Sequence, residues 1–257
     1  MNDSQSGSQI GGWLEHYRFE TGSYPCSYIP GETANLDYRI LTHVRPTAYH
    51  QLLRRGWRRF GFHYFRPACA GCIKCRSLRI LVDEFKPGKS HRKTLRKNEH
   101  IEVKVQKPSV SPAHLELYDL YHADMNKRRG WPVHPTNQRR YEESFVDGGG
   151  EFAREFLYYD GDQLVGVGLV DVVPEAASSI YFFHHPDWRD KAPGVFSMLY
   201  ELQYAKEKGL SHHYLGYWIP ECQSMSYKAQ YKPHQILEYY PEEDEEPEWK
   251  FPEDPEE

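Results

Sequence analysis

Apolar and polar positions follow different rhythms in the two halves of the chain. Residues 46–55 carry apolar side chains at helical spacing and are closed by Gly56, which predicts a short helix. The aromatic run WRRFGFHYF that follows, residues 57–65, alternates and predicts a strand. Residues 78–82 read as another strand, 90–98 as a basic helix and 101–106 (IEVKVQ) as an alternating strand. The pattern breaks between Lys107 and Pro112, a short polar segment with two prolines, where a domain boundary is expected. Ser111 and Pro112 form an N-cap and first-turn pair for a helix to about Lys127, its apolar side supplied by Leu115, Leu117, Leu120 and Tyr121. EFLYYDGDQLVGVGLVDVV then reads as two strands around Asp160-Gly161-Asp162, and SSIYFFHH as a third in meander order. PGVFSMLYELQYAKEKG predicts a helix with Phe196, Leu199, Leu202 and Tyr200 inward, stopping at Gly209 before the strand HHYLGYWIP.

Meander, long helix and further strand is the order of an N-acetyltransferase-type domain. The expected fold is α+β: residues 1–107 form a small cysteine-bearing, basic domain, residues 108–240 an N-acetyltransferase-like domain with a mixed, largely antiparallel sheet, and residues 241–257 an acidic disordered tail. Residues 1–12, rich in Gly, Ser and Asn, are expected to be loose. No run of 18 apolar residues occurs, and the N-terminus lacks the basic and apolar regions of a secretory leader, so the expectation is a cytoplasmic protein without a membrane partner. The sequence assigns no oligomeric state.

The net charge of -5 conceals a division. Ten of the 37 acidic side chains but one of the 32 basic ones lie beyond residue 240, so the rest of the chain carries 31 basic against 27 acidic groups. Positive charge concentrates between Lys86 and Lys107, where only Glu99 and Glu102 oppose it. Such a block is the electrostatic footprint of a phosphate-backbone partner or a solvated basic helix. Repulsion keeps the acidic tail open on this reading, and when no nucleic acid is bound it can shield the basic block. Five cysteines, three of them at CxxCxxC spacing (Cys69, Cys72, Cys75), fit a metal or redox site better than a secreted disulfide framework.

Four separated stretches carry a resemblance: CSYIPG (Cys26 to Gly31), RPACAGCIKCRSLRI, KSHRKTLRKN, and YLGYWIPECQSMSYKAQYKP (Tyr214 to Pro233). Together they resemble the bacterial aminoacyl-tRNA–protein transferases, in the aspartate/glutamate leucyltransferase branch related to eukaryotic arginyltransferases. The resemblance implies transfer of an amino acid, leucine in this branch and arginine in its relatives, from charged tRNA to the α-amine of proteins beginning with Asp or Glu. That reaction belongs to the N-degron (N-end rule) route of protein degradation. The chain departs from the pattern at His184-His185-Pro186-Asp187, where relatives read Tyr-Asp-Pro-Asp, and at Ala192-Pro193-Gly194, where they often read Ser-Leu-Gly.

Aminolysis of an ester needs only modest base assistance, because an α-amine with a pKa of about 7.7–8.0 is partly neutral already. Positioning and oxyanion stabilisation should dominate, and no cofactor is required for the chemistry. In the matching segments Asp187, Tyr217 and Tyr227 are candidates for orienting the amine and the oxyanion. Arg66, Arg76 and Lys228 are candidates for the acceptor's carboxylate, and Tyr181, Phe183 and Trp218 for a leucyl pocket. Lys89, Arg92, Lys93, Arg96 and Lys97 would meet tRNA phosphates without reading bases. Cys26 can join Cys69, Cys72 and Cys75 in a four-thiolate site for zinc or, as in the related arginyltransferases, an iron–sulfur cluster, with Lys74 and Arg76 lowering the thiol pKa values. Reduced thiols packing a small domain are the plain alternative. Two other functions remain open: a CoA-dependent N-acetyltransferase, opposed by DWRDKAPGVF where a pyrophosphate loop would stand, and a non-catalytic, metal-stabilised RNA-binding protein.

Overall fold

The computed structural model describes residues 8–10 and 12–252. Its first part is β1 (Ser8–Ile10), β2 (Trp13–Glu20), β3 (Tyr24–Pro25), β4 (Thr33–Ala34), β5 (Leu36–Thr42), α1 (Pro46–Arg54), β6 (Arg58–Phe60), β7 (His63–Pro67), β8 (Arg76–Leu81), α2 (Lys89–Lys97) and β9 (Glu102–Gln106). There follow α3 (Pro112–Arg129), α4 (Gln138–Tyr141), β10 (Ala153–Asp160), β11 (Gln163–Val173), β12 (Ala176–His184), α5 (Pro193–Glu207), β13 (His212–Trp218), α6 (Gln223–Ser226), β14 (His234–Leu237) and β15 (Trp249–Lys250).

Two large sheets organise these elements, with β3 and β4 paired as a separate two-stranded ribbon. The first, ordered β1-β2-β5-β7-β6, is antiparallel; the second, ordered β15-β14-β8-β13-β12-β11-β10-β9, is antiparallel except where β12 runs parallel to β13. The meander, the α5 crossover and the parallel strand follow the expected order. The expected boundary at 107 falls after β9, and the second sheet takes β8 and β9 from its N-terminal side.

Alternation along the strands divides the core. On β10, Phe156 and Tyr158 face α5 with Leu199 and Leu202, whereas Leu157 faces α3 and α4 with Leu117 and Tyr141. A third cluster, built around Leu52, Leu53, Trp57 and Tyr64, joins α1 to the first sheet and reaches Val173 and Tyr214 of the second. Arg59 on β6 and Asp171 on β11 bridge the sheets through a two-pronged, almost fully buried ion pair, at 2.6 and 2.8 Å. Ser111 caps α3 through its hydroxyl, and Gly130, left-handed at φ 68°, ends it.

Three expectations are corrected. The stretch 57–65 is a hairpin, not one strand: Gly61 turns it at φ 55°, and a Cβ there would lie 2.0 Å from the carbonyl oxygen of Glu143. Within the segment expected to be loose, Ser8–Ile10 pair with β2; residues 1–7 and 11 lie outside the described residues. The acidic tail is docked as far as it is described. Arg66 donates to the carbonyl of Pro241 and to Glu242, Arg55 to the carbonyls of Glu242, Glu243 and Glu245, and Arg39 to Glu243. The partners of these carboxylates are arginines of the first sheet and α1, so the segment does not cover the basic block of α2. Local charge repulsion loses to this concentrated opposite charge. Residues 253–257 of the expected tail lie outside the described ones. No described helix is long and apolar enough to cross a membrane.

Candidate functional site

β12 and β13 pair only from Ala176↔His212 to Ser178↔Tyr214 and then part. Beyond the parting lies a cavity of about 760 Å³, floored by the start of α5, walled by the end of α3 and residues 223–228, and roofed by β6 and β7. Gly216, at φ 75°, shifts the β13 register here, and a Cβ in its place would meet Arg58 Nε at 3.1 Å. Arg58 uses the space to donate to Ser178 Oγ at 2.5 Å and to the carbonyl of Ser179.

A buried polar cluster forms the floor. Ser179 donates to Glu201 Oε2 at 2.5 Å, and His213 Nε2 lies 2.8 Å from Ser179 Oγ and 3.2 Å from Glu201. Ser197 donates to Glu201 Oε1 at 2.9 Å and accepts from the Tyr158 hydroxyl at 3.0 Å. With the Ser179 proton given to the carboxylate, His213 serves as donor through Nε2 rather than as base. The carboxylate also sits on the same side of the imidazole as the serine, unlike a nucleophilic triad. Both carboxylate oxygens of Glu201 are thus engaged, while the buried Nδ1 of His213 has no hydrogen-bond partner among the described residues.

Lys228 is the buried amine of the site. Its Nζ donates to the carbonyl of Tyr217 at 2.6 Å and approaches Met225 Sδ at 3.2 Å. Burial, reinforced by the positive charge of Arg58, pushes its pKa down to about 7. At the mouth, Arg128 and Arg129 are exposed, and Met125, Met198 and Leu215 supply apolar wall.

Of the residues singled out by sequence, the cavity brings together Tyr181, Tyr217, Tyr227 and Lys228. The Tyr217 hydroxyl is committed to the carbonyls of Phe65 and Gly56, and burial holds its pKa well above the ordinary value. The Tyr181 hydroxyl bonds His122 Nε2 at 3.0 Å, while Tyr227 is half exposed. Asp187 points outward with its side chain 92% exposed, 3.7 Å from His185. Phe183 is wholly buried in the core under α3. Arg66 lies beneath the acidic segment with its guanidinium 4.7 Å from the Trp57 ring centre, and Arg76 and Trp218 line a different cavity, where Arg76 faces Glu238. Lys89, Arg92, Lys93, Arg96 and Lys97 lie on the outward side of α2, none of them buried. Asn98, which caps α2, donates to the carbonyl of Lys191, bringing that end of the helix to the start of α5. Arg58, Ser179, Ser197, Glu201 and His213 were not legible as a site, because each sits in a run that reads as strand or helix core.

The cysteines gather without forming a metal site. Burial, then the neighbouring Cys69, Cys26 and Cys72, pushes the Cys75 thiol up to about 12. For Cys75 the expected lowering by Lys74 and Arg76 is therefore corrected: Lys74 faces Glu32 and Glu221, and Arg76 faces Glu238, so their charge is already compensated. Among the described residues no three His, Cys, Asp or Glu side chains are placed to hold one ion. Cys69 instead exchanges contacts with the backbone of Asn35.

Comparison with known proteins gives two profile matches, described as "Arginine-tRNA-protein transferase, N terminus" over residues 24–93 and "Arginine-tRNA-protein transferase, C terminus" over residues 113–238. The aspartate/glutamate leucyltransferase of Helicobacter hepaticus is 39% identical over 226 residues, covering 88% of this chain and 94% of that one. The enzyme of the same name from Marinobacter nauticus is 33% identical, covering 85% and 92%. Among solved structures, FemX aligns with a TM-score of 0.43 at 10% identity, covering 80% of this chain and 79% of that one.

Proposed function

The chain belongs to the arginine-tRNA–protein transferase family, and on that footing we propose that it transfers leucine from leucyl-tRNA to the α-amine of proteins beginning with Asp or Glu. The product enters N-end rule degradation. The single observation that carries the choice of leucine is the charge of the cavity. Arg58, Arg128, Arg129 and Lys228 line it, and Glu201 has both carboxylate oxygens engaged. An arginyl donor would bring a guanidinium against these cations without a free counter-charge, whereas a leucyl side chain can lie against Met125, Met198 and Leu215. Arg128 and Arg129, exposed at the mouth, suit the acceptor's carboxylate.

In the proposed reaction the neutral acceptor amine attacks the ester carbonyl, the new C–N bond forms, and the bond to the terminal ribose oxygen breaks. Lys228, about half neutral at pH 7, accepts a proton from the attacking nitrogen and passes it to the ribose oxygen as that leaves, which returns the amine to its neutral form. A lysine with this pKa is a better base than a fixed cation, so carboxylate recognition passes to Arg128 and Arg129. The Tyr227 hydroxyl at the cavity wall is the proposed donor to the oxyanion. Tyr217, whose hydroxyl is tied to two carbonyls, holds the Lys228 amine through its own carbonyl. The outward cations of α2 meet the acceptor arm of the tRNA through phosphates. No step is routed through the cysteines, and these partners fit a cytoplasmic enzyme.

The test is transfer of radiolabelled leucine or arginine from charged tRNA to peptides beginning with Asp, Glu or Ala, using protein prepared with and without oxygen. Leucine on Asp and Glu but not Ala is the expected result. Arginine transfer would overturn the donor assignment, and no transfer of either would overturn the enzymatic reading in favour of RNA binding alone.

A further inference from the structure

At the far end of the strands that part around the transfer cavity lies a second, partly open pocket, of about 350 Å³. His50, Gln51 and Arg54 of α1, Arg79 of β8, Glu175 of the β11–β12 turn and His212 at the start of β13 line it. His212 precedes Leu215, the first β13 residue to line the transfer cavity, by three residues, so about 10 Å of strand separates the two spaces. A ligand here would not touch the reacting groups.

Four basic side chains from three elements converge on this space, and the one carboxylate among them, Glu175, is exposed. His50 is 7% exposed, and among the described residues neither its imidazole nor that of His212 has a hydrogen-bond partner. Arg79 is fixed by two bonds to Gln235 Oε1, at 2.9 and 2.7 Å, and by the Trp249 ring, 4.4 Å away, which leaves its Nη1 edge with only a 3.5 Å approach to the Tyr214 hydroxyl. Arg54 bonds Gln51 and Glu246 from opposite nitrogens. Burial, with Arg54 and Arg79 nearby, lowers the pKa of both histidines, that of His212 to about 4, although Glu175 pulls His50 the other way. A cation would be repelled, and no three ligating side chains meet at one point among the described residues.

We propose that this cavity binds a phosphate-class oxyanion, gripped by the guanidinium groups of Arg79 and Arg54 and by ring N–H groups of His50 and His212. An anion supplies the acceptors these donors lack and restores the imidazoles' affinity for protons. It also competes with Glu246 for Arg54, loosening the acidic segment at that point. The anion can be a free ion or a backbone phosphate of the tRNA donor.

Isothermal titration of the intact protein with inorganic sulfate and inorganic phosphate, against chloride at equal ionic strength, tests the site. Sulfate keeps its charge across the range, so it should bind more tightly at about pH 5.5 than at about pH 7.5, as His50 and His212 take up protons beside Arg54, Arg79 and Glu175. His50→Phe should weaken sulfate binding by about tenfold or more. Should that variant not fold, Arg54→Gln, on a partly exposed residue, carries the same expectation. Binding of uncharged tRNA then separates the sources: reduced affinity in the variants means a backbone phosphate, and unchanged affinity means a free ion. No saturable binding of either anion above chloride, or undiminished binding in a folded variant, overturns the proposal.

Discussion

Replacing Lys228 with Met separates what the buried amine costs the fold from what it contributes to chemistry. An ordinary lysine titrates at 10.5 and this one at about 7, so between those values the unfolded chain holds a proton that the folded chain does not. Stability therefore rises with pH across that window. At about 1.4 kcal/mol per pH unit, burying the amine costs the wild type about 4 kcal/mol at pH 7 and about 2 kcal/mol at pH 9. Met fills similar volume without charge and forgoes the bond to the Tyr217 carbonyl, a loss of about 1 kcal/mol. The variant should be more stable than the wild type by about 3 kcal/mol at pH 7, and by about 1 kcal/mol at pH 9. Urea unfolding of both proteins at the two pH values reads the difference directly. Leucyl transfer should meanwhile fall by about 10²–10⁴-fold. A stability gap that does not shrink with pH would refute the buried, low-pKa amine, and with it the base assigned to the reaction.

Other outcomes follow from the geometry. Asp171→Asn strips the counter-charge from buried Arg59 and should destabilise the protein by about 3–5 kcal/mol in chemical denaturation. Arg129→Gln should raise KM for Asp- and Glu-initiated peptides by about tenfold with little change in kcat; an equal effect on a neutral peptide would remove Arg129 from carboxylate recognition. Neutralising Lys93 or Arg96 should lower the salt slope of tRNA binding by about 0.7–0.9 for each phosphate left without its cation, read from affinities at several salt concentrations.

What was legible in the sequence was whatever local periodicity specifies. The meander, α3 with its Ser111 cap, and α5 stopping at Gly209 all announce themselves within a window of a dozen residues. The hairpin at Gly61 escaped because its reason is distant: the Glu143 carbonyl packs where a side chain would be. The acidic segment escaped for a similar reason, since its like charges are compensated by arginines about 180–200 residues earlier. Within the site, Tyr227 and Lys228 could be found because their motif is contiguous, whereas Ser179, Glu201 and His213 meet only after β12, α5 and β13 have packed. Tyr181 and Phe183 show the limit of alternation. Two positions apart, they share a face of β12, yet Tyr181 lines the cavity while Phe183 packs in the core with Leu117 and Tyr141.

The docking of residues 241–250 bears on how the molecule is made. Arg39 waits 204 residues for Glu243 and Arg66 waits 175 for the Pro241 carbonyl, which at ribosomal speeds is about 10–40 s of synthesis. In that interval Glu15 and Asp37 offer Arg39 and Arg66 partial neutralisation, but among the described residues the guanidinium of Arg55 has only Gln51 for a partner. The first sheet can therefore form early yet finish late, and a nascent chain stalled before residue 241 would present those arginines to whatever acidic surface comes by.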